Sequence, residues 1–137
     1  MSVDLVVQKA IRARLVATQA VTDLVPAVSI LDRNQRPAPN PSIILGESQM
    51  VDEDAMHGNR TRVYHTIHIW KREASLEGVK RIAGAVRNAL HWSSFDLDTG
   101  YHAVNWHVSN IRPLRDPDGE TSHAIVTVEV LVSEALS

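Results

Sequence analysis

Two segments of the chain repeat apolar residues at steps of three and four, the spacing that gives an α-helix one apolar face. The first runs from Val3 to Thr18, with Ser2 at the position of an N-cap. The second runs from Ser75 to His91, and its apolar stripe consists of Leu76, Val79, Ile82, Ala83, Val86 and Leu90. Both segments are predicted to be helices that pack one face against a sheet.

Three further segments alternate apolar and polar residues, which is the period of a β-strand with one face in a core. They cover Thr61–Lys71, His102–Val108 and Ala124–Val132. In the first, alternation separates the face of Thr61, Val63, His65, Ile67 and Ile69 from that of Arg62, Tyr64, Thr66, His68 and Trp70. In the second, it separates His102, Val104, Trp106 and Val108 from Tyr101, Ala103, Asn105 and His107.

Shorter apolar runs predict strands at Val28–Asp32, Ser42–Glu47 and Phe95–Leu97. The segment Arg33–Pro41 contains three prolines and is predicted to be a loop, because proline offers no N–H to a strand ladder. The sequence Asp116-Pro117-Asp118-Gly119 predicts a turn before the last strand.

The order of these elements predicts a single α+β domain over residues 1–137, with a mainly antiparallel sheet covered by two helices. The segment Gln49–Asn59 has no apolar period and contains three consecutive acidic residues, Asp52, Glu53 and Asp54. It is predicted to be a long mobile loop, and loops of this length are usually functional or disordered.

Composition narrows the classes of function. The absence of cysteine excludes disulfides, thiolate metal ligands and cysteine nucleophiles. The 14 basic and 16 acidic residues give a net charge of −2, and the basic residues are scattered, whereas tight binding of nucleic acid needs clustered Lys and Arg. The chain has neither a start typical of a signal peptide nor an apolar run of ~20 residues. We therefore expect a protein made in a cytoplasm with no membrane partner.

Seven histidines make a metal site the first enzymatic hypothesis to test. On a strand, the odd spacings of His65 and His68, and of His102 and His107, direct each pair to opposite faces. Adjacent carboxylates on a loop, as in Asp52–Asp54, lack the fixed geometry that catalysis requires. No nucleophile elbow, P-loop or dinucleotide motif is present. We expect no catalytic, cofactor-binding or metal-binding residue and no enzyme, although a small metal-dependent hydrolase using His65, His102 or His107 stays an alternative.

Six pieces of the sequence follow one another in a specific order and spacing. They are the helix Val3–Thr18, the segment Ile30-Leu31-Asp32-Arg33 before the proline-rich loop, and the segments Pro41–Glu47, Ile67–Arg72, Val86–His91 and Arg115–His123. Together they resemble the tail completion, or tail terminator, proteins of long-tailed phages and gene transfer agents. The resemblance covers nearly the whole chain and is greatest for the gene-transfer-agent branch.

The resemblance implies a virion structural protein of the neck or tail that forms a hexameric ring at the head-proximal end of the tail tube. Such a ring stops polymerisation of the tube protein and offers the surface to which the head attaches through its connector or stopper protein. DNA would pass through it only as cargo. The family supplies no catalytic residues. The alternatives are the neighbouring stopper protein of the neck and a dimeric ligand-binding domain.

The segment Gln49–Asn59 is expected to contact a partner in the assembly. Methionine adapts to irregular surfaces, and acidic side chains orient a partner through their charge. The residues assigned to this contact are Met50, Val51, Asp52, Glu53, Asp54, Met56 and Arg60.

Overall fold

A computed structural model of the chain describes residues 2–53, 59–91 and 94–135. Its helices and strands occur in the order α1 Val3–Ala17, α2 Gln19–Thr22, β1 Ile30–Leu31, β2 Ser42–Asp52, β3 Arg60–Arg72, α3 Glu77–His91, β4 Tyr101–Arg115 and β5 Thr121–Glu134. This order confirms the α+β prediction.

The strands form one five-stranded sheet in the order β1-β2-β3-β5-β4. All neighbouring strands are antiparallel except β1, which pairs with β2 in parallel through only two residues. Strand β5 is inserted between β3 and β4, and its 13 consecutive pairs with β3 form the regular centre of the sheet. The prediction of a mainly antiparallel sheet is confirmed.

Helices α1 and α3 pack on the same face of the sheet, and the short α2 contacts α3 beside them. The core between the layers contains Val7, Ile11 and Leu15 of α1, Val79, Ile82, Val86 and Leu90 of α3, and the even-numbered residues Ala124 to Val132 of β5. These residues are almost fully buried, as their three- to four-residue and two-residue periods predict. We call this the helix face of the sheet and the opposite one the open face.

Capping residues fix the starts of both long helices. The hydroxyl of Ser2 accepts a hydrogen bond from the backbone N–H of Leu5 (3.2 Å), and that of Ser75 accepts one from the N–H of Glu77 (3.0 Å). These contacts satisfy N–H groups that have no partner within the helix. The predicted N-cap Ser2 is therefore confirmed, whereas Ser75 lies two residues before α3 and bonds the N–H of its first residue.

The prediction of a loop over Gln49–Asn59 was wrong at its start. Gln49 to Asp52 belong to β2 and pair with Tyr64 to Thr61 of β3. Residues 49–52 of β2 are exposed on both faces, so no apolar period develops there, whereas Val63 on the paired strand is fully buried. We call residues 48–53 and 59–64 the arm.

Two smaller predictions also differ from the structure. Phe95–Leu97 is not a strand, because Phe95 is instead buried against the Trp106 ring (6.0 Å between centroids). The predicted strand Val28–Asp32 shortens to Ile30–Leu31, because Ala27–Ser29 form a 3-10 turn that leaves Val28 exposed.

Strand β4 does not keep the predicted alternation. A bulge at Val104, between Ala103 and Asn105, reverses the faces of the residues before it. Tyr101 and Ala103 consequently lie on the helix face together with Trp106 and Val108. The predicted grouping of His102 and Val104 with Trp106 was therefore wrong.

Within the described residues, no helix is long and apolar enough to cross a membrane.

Candidate assembly surface

The open face of the sheet is the face that the described helices leave uncovered. Its side chains come from alternate positions of four strands and are mostly only partly exposed, because neighbours on the sheet shield one another. Apolar Ile44, Ile125 and Leu131 lie among polar Thr66, Thr127 and Asn110. This mixture suits contact with another protein surface better than enclosure of a small ligand.

An aromatic cluster lies at the β3–β5 end of this face. Trp70 and His123 are cross-strand neighbours, and their rings stack with centroids 3.7 Å apart and planes within 9°. The Nδ1 atom of His68 lies 2.9 Å from Nε2 of His123, and its Nε2 donates to Glu47 Oε1 at 2.8 Å. A Cβ atom on Gly46 would lie 2.8 Å from Cδ2 of His68, so only glycine admits the ring in this position.

The environment of the cluster perturbs two titrating groups. Burial, followed by the nearby His68, lowers the pKa of His123 to about 4, so His123 is neutral at pH 7. The hydrogen bond from His68 is the largest cause that lowers the pKa of Glu47, so this carboxylate is ionised. When His68 is neutral, its Nδ1 is therefore the acceptor and His123 Nε2 donates. Glu47, His68 and His123 therefore form one hydrogen-bonded unit, in which the Glu47 side chain is 72% exposed.

A second polar network joins the arm to the opposite edge of the open face. Arg62 Nε donates to Glu53 Oε1 at 2.6 Å, and Arg62 Nη1 lies 3.6 Å from Glu129 Oε1. His107 Nε2 of β4 lies 3.2 Å from Glu129 Oε2. The hydrogen bond to Glu53 raises the pKa of Arg62. The network reaches from β2 to β4 and holds the arm in line with the sheet.

The described residues that were assigned to a partner contact all lie on the arm. Met50 and Val51 are 51% and 38% exposed and point to opposite faces of it. Asp52 ends β2 and Arg60 begins β3, and both are exposed. Glu53 is held by Arg62. The other two assigned residues, Asp54 and Met56, lie outside the described residues.

The histidine pairs do not form a metal site. His65 lies on the helix face and His68 on the open face, as predicted. His102 and His107 share the open face, contrary to the prediction, because the bulge at Val104 adds a residue between them. They pair with Ser133 and Glu129, four positions apart on β5, a separation of about 13 Å. The described part of the chain has no group of three or more metal-ligating side chains.

His65 is a polar residue inside the core. It is fully buried, and neither ring nitrogen has a hydrogen-bond partner among the described residues. Burial lowers its pKa, so the ring is neutral at pH 7. Asp4, which exerts the largest opposing electrostatic effect, likewise has a buried Oδ1 without a partner there. With no access to solvent, His65 cannot act on a substrate.

A family of known proteins matches most of the chain. Residues 9–133 match the family model described as "Tail completion protein gp17". The chain belongs to this family. Since the family consists of structural tail proteins, the chain is a tail completion protein with a structural role in the virion, not an enzyme. The resemblance noted from the sequence is thereby confirmed.

Solved structures share the fold of this tail completion protein. A chain in the "Virion of native gene transfer agent (GTA) particle" superposes with a TM-score of 0.86 at 20% identity, covering 96% of this chain and 98% of that one. The gp17 protein of bacteriophage SPP1 gives a TM-score of 0.63 at 18% identity, covering 98% and 94%. Curated protein sequences give no significant match.

Sequence reasoning missed the cluster of His68, Trp70 and His123. The two-residue step from His68 to Trp70 places both on the open face. His123 lies 55 residues from His68, and only the register of β3 with β5 brings them together.

Proposed function

We propose that this tail completion protein forms a closed ring, hexameric as the family resemblance implies, at the head-proximal end of the tail tube. The ring ends polymerisation of the tube protein and provides the surface on which the head, through its connector or stopper protein, is joined. The observation that carries the proposal is the family match over residues 9–133. The fold shared with a chain of a gene transfer agent virion supports it.

The sheet has the features that a ring subunit needs. Its two outer strands, β2 with β1 on one side and β4 on the other, are different surfaces, so one copy can follow another head to tail. Beyond Ile44, β2 pairs on its outer side with no described residue, and β4 pairs only with β5. Unpaired strand edges favour association with neighbouring chains.

The arm is proposed to be the segment that contacts the tail tube or the connector. Met50 presents apolar surface on one of its faces, while Asp52 and Arg60 present opposite charges at its far end. Anchoring by Arg62 to Glu53 and Glu129 holds the arm in one direction, which lowers the entropy cost of binding. A partner can therefore engage it without reorganisation of the sheet.

DNA is proposed to pass the ring without being bound. The net charge of −2 and the dispersed basic residues provide no continuous phosphate-binding surface. A conduit with few fixed phosphate contacts does not retard its cargo.

Loss of the gene in the parent particle tests the proposed role. We expect tails of abnormal length or tails that fail to join heads, seen by electron microscopy, and rescue by the wild-type gene. Normal tails joined to heads in its absence would refute the role.

The arm is tested by rescue with the variant Met50→Ser, which should fold but restore few joined particles. The matched control is Leu5→Ser, which removes a side chain of similar exposure (43%) from α1 and should rescue fully. Equal rescue by both variants would contradict the arm contact.

A further inference from the structure

We propose that the two outer edges of the sheet bind each other between copies of the chain. The β2 edge of one copy, at Glu47 and Val51, docks on the β4 edge of the next, at Val104 and Arg112. This inference rests on the proposed ring and names the contact that closes it.

The two edges carry opposite charge. Strand β2 contains Glu47 and Asp52 and no basic residue, whereas β4 contains two arginines and two histidines and no acidic residue. Glu47 is 72% exposed, and Asp52, His102 and Arg112 are also exposed. Like edges would repel each other, so the charges favour contact between unlike edges.

One acid and one base of the two edges lie at nearby levels on the same face. Glu47 lies in the β2 bulge opposite Thr66, whose level continues to Asn110, two positions from Arg112. Glu47 bonds His68 on the open face, and Arg112 pairs with Ile125 on the same face. A second copy placed beside the first at the same height therefore brings Glu47 of one edge near Arg112 of the other.

Apolar side chains lie between these charges at a matching level. Val51 pairs with Arg62, which pairs with Leu131, which pairs with Asn105. The bulge residue Val104 immediately precedes Asn105. Val104 is 39% exposed, and Val51 is exposed to nearly the same extent. The paired edges thus have an apolar centre with charges on both sides, the usual composition of a protein interface.

The shape of β4 favours contact through side chains over an extended backbone ladder. Bulges at Val104 and Ser109 interrupt its outer row of backbone groups, and Pro113 has no N–H to offer. Such interruptions prevent open-ended strand pairing.

The β2 and β4 edges of adjacent copies would run antiparallel, because three antiparallel steps separate these strands within one sheet.

Charge reversal tests the contact. The variant Glu47→Lys/Asp52→Lys has two basic edges, and the variant His102→Glu/Arg112→Glu has two acidic edges. We expect each alone to need at least about tenfold more protein than wild type for half-complete assembly in sedimentation velocity. A mixture of the two should assemble as well as wild type, in alternating order. The control Asp23→Lys/Arg87→Glu, which reverses two exposed charges on the helices, should assemble normally.

Recovery on mixing separates the contact from misfolding, because a variant that fails to fold cannot be rescued by its counterpart. Normal assembly by both reversed variants, or no recovery when the folded variants are mixed, would overturn the proposal.

Cysteine cross-linking tests the same contact in assembled particles. The chain contains no cysteine, so Val51→Cys/Val104→Cys introduces the only pair. Within one copy these positions are three strand spacings apart, about 14 Å, which exceeds the reach of a disulfide. Oxidation should give a ladder of covalent oligomers, and neither single variant should give one. Absence of a ladder, both in solution and in purified tails, would refute the edge contact.

The contact and the proposed function can fail separately. Normal tails without the gene, combined with a cysteine ladder, would refute the function and leave the contact. Defective tails without the gene, combined with unimpaired assembly of both reversed variants, would refute the contact and leave the function.

Discussion

His123 should make the protein less stable in mild acid. Its ring is only 8% exposed, stacks on Trp70 and is hydrogen-bonded to His68. Its pKa is about 4 in the folded chain, against an ordinary value of 6.5. Below pH 6.5 the unfolded chain therefore binds a proton that the folded chain does not, and stability is lost as the pH falls towards 4.

The size of the effect follows from the two pKa values. Between pH 7.5 and pH 4.5 the difference in proton binding lowers the free energy of unfolding by about 2–3 kcal/mol. Among the groups near the ring, His68 lowers the pKa of His123, whereas Asp116 and Glu47 raise it. Burial lowers this pKa and has a larger effect than any of the three groups. His65, whose pKa is also lowered, adds to the loss in acid but is unchanged by substitution at position 123.

The substitution His123→Phe keeps a ring against Trp70 and removes the titrating group. Urea unfolding at the two pH values should show that this variant loses about 2–3 kcal/mol less than wild type on acidification. Thr127→Val, on the same strand and face, is the non-titrating control and should behave as wild type. An NMR titration of the wild-type His123 ring should give a midpoint near 4. An unchanged pH dependence in His123→Phe would refute the assignment of the acid sensitivity to this residue.

Three substitutions and one treatment test the rest of the fold. Val86→Asp should destabilise the chain by about 3 kcal/mol or more in urea unfolding, because it places an unpaired charge in the core. His65→Leu should stabilise it by about 1–3 kcal/mol by removing two buried nitrogens that have no described partner. Gly84→Ala should stabilise it by about 1 kcal/mol, since nothing described lies within 4 Å of the new Cβ. A chelator should leave the melting temperature unchanged, and a large shift would revive the hypothesis of a metal site.

The sequence by itself determined the elements with a regular apolar period. Helices α1 and α3 and the buried face of β5 each pack against a continuous core. Every helical turn and every second residue of the strand therefore carries an apolar side chain, and the periods of 3.6 and 2 can be read from the sequence. The order of its segments also sufficed to recognise the family, which the match over residues 9–133 confirms.

Only the tertiary structure decided the features that depend on pairing between distant strands. Residues 49–52 have no apolar period because both faces of β2 are exposed there, so their pairing with β3 could not be seen in their own side chains. The bulge at Val104 changes which histidines share a face, and a bulge has no fixed sequence signature. The stacking of His123 on Trp70 follows from register. Register joins residues about 50 positions apart through backbone hydrogen bonds that any sequence can form.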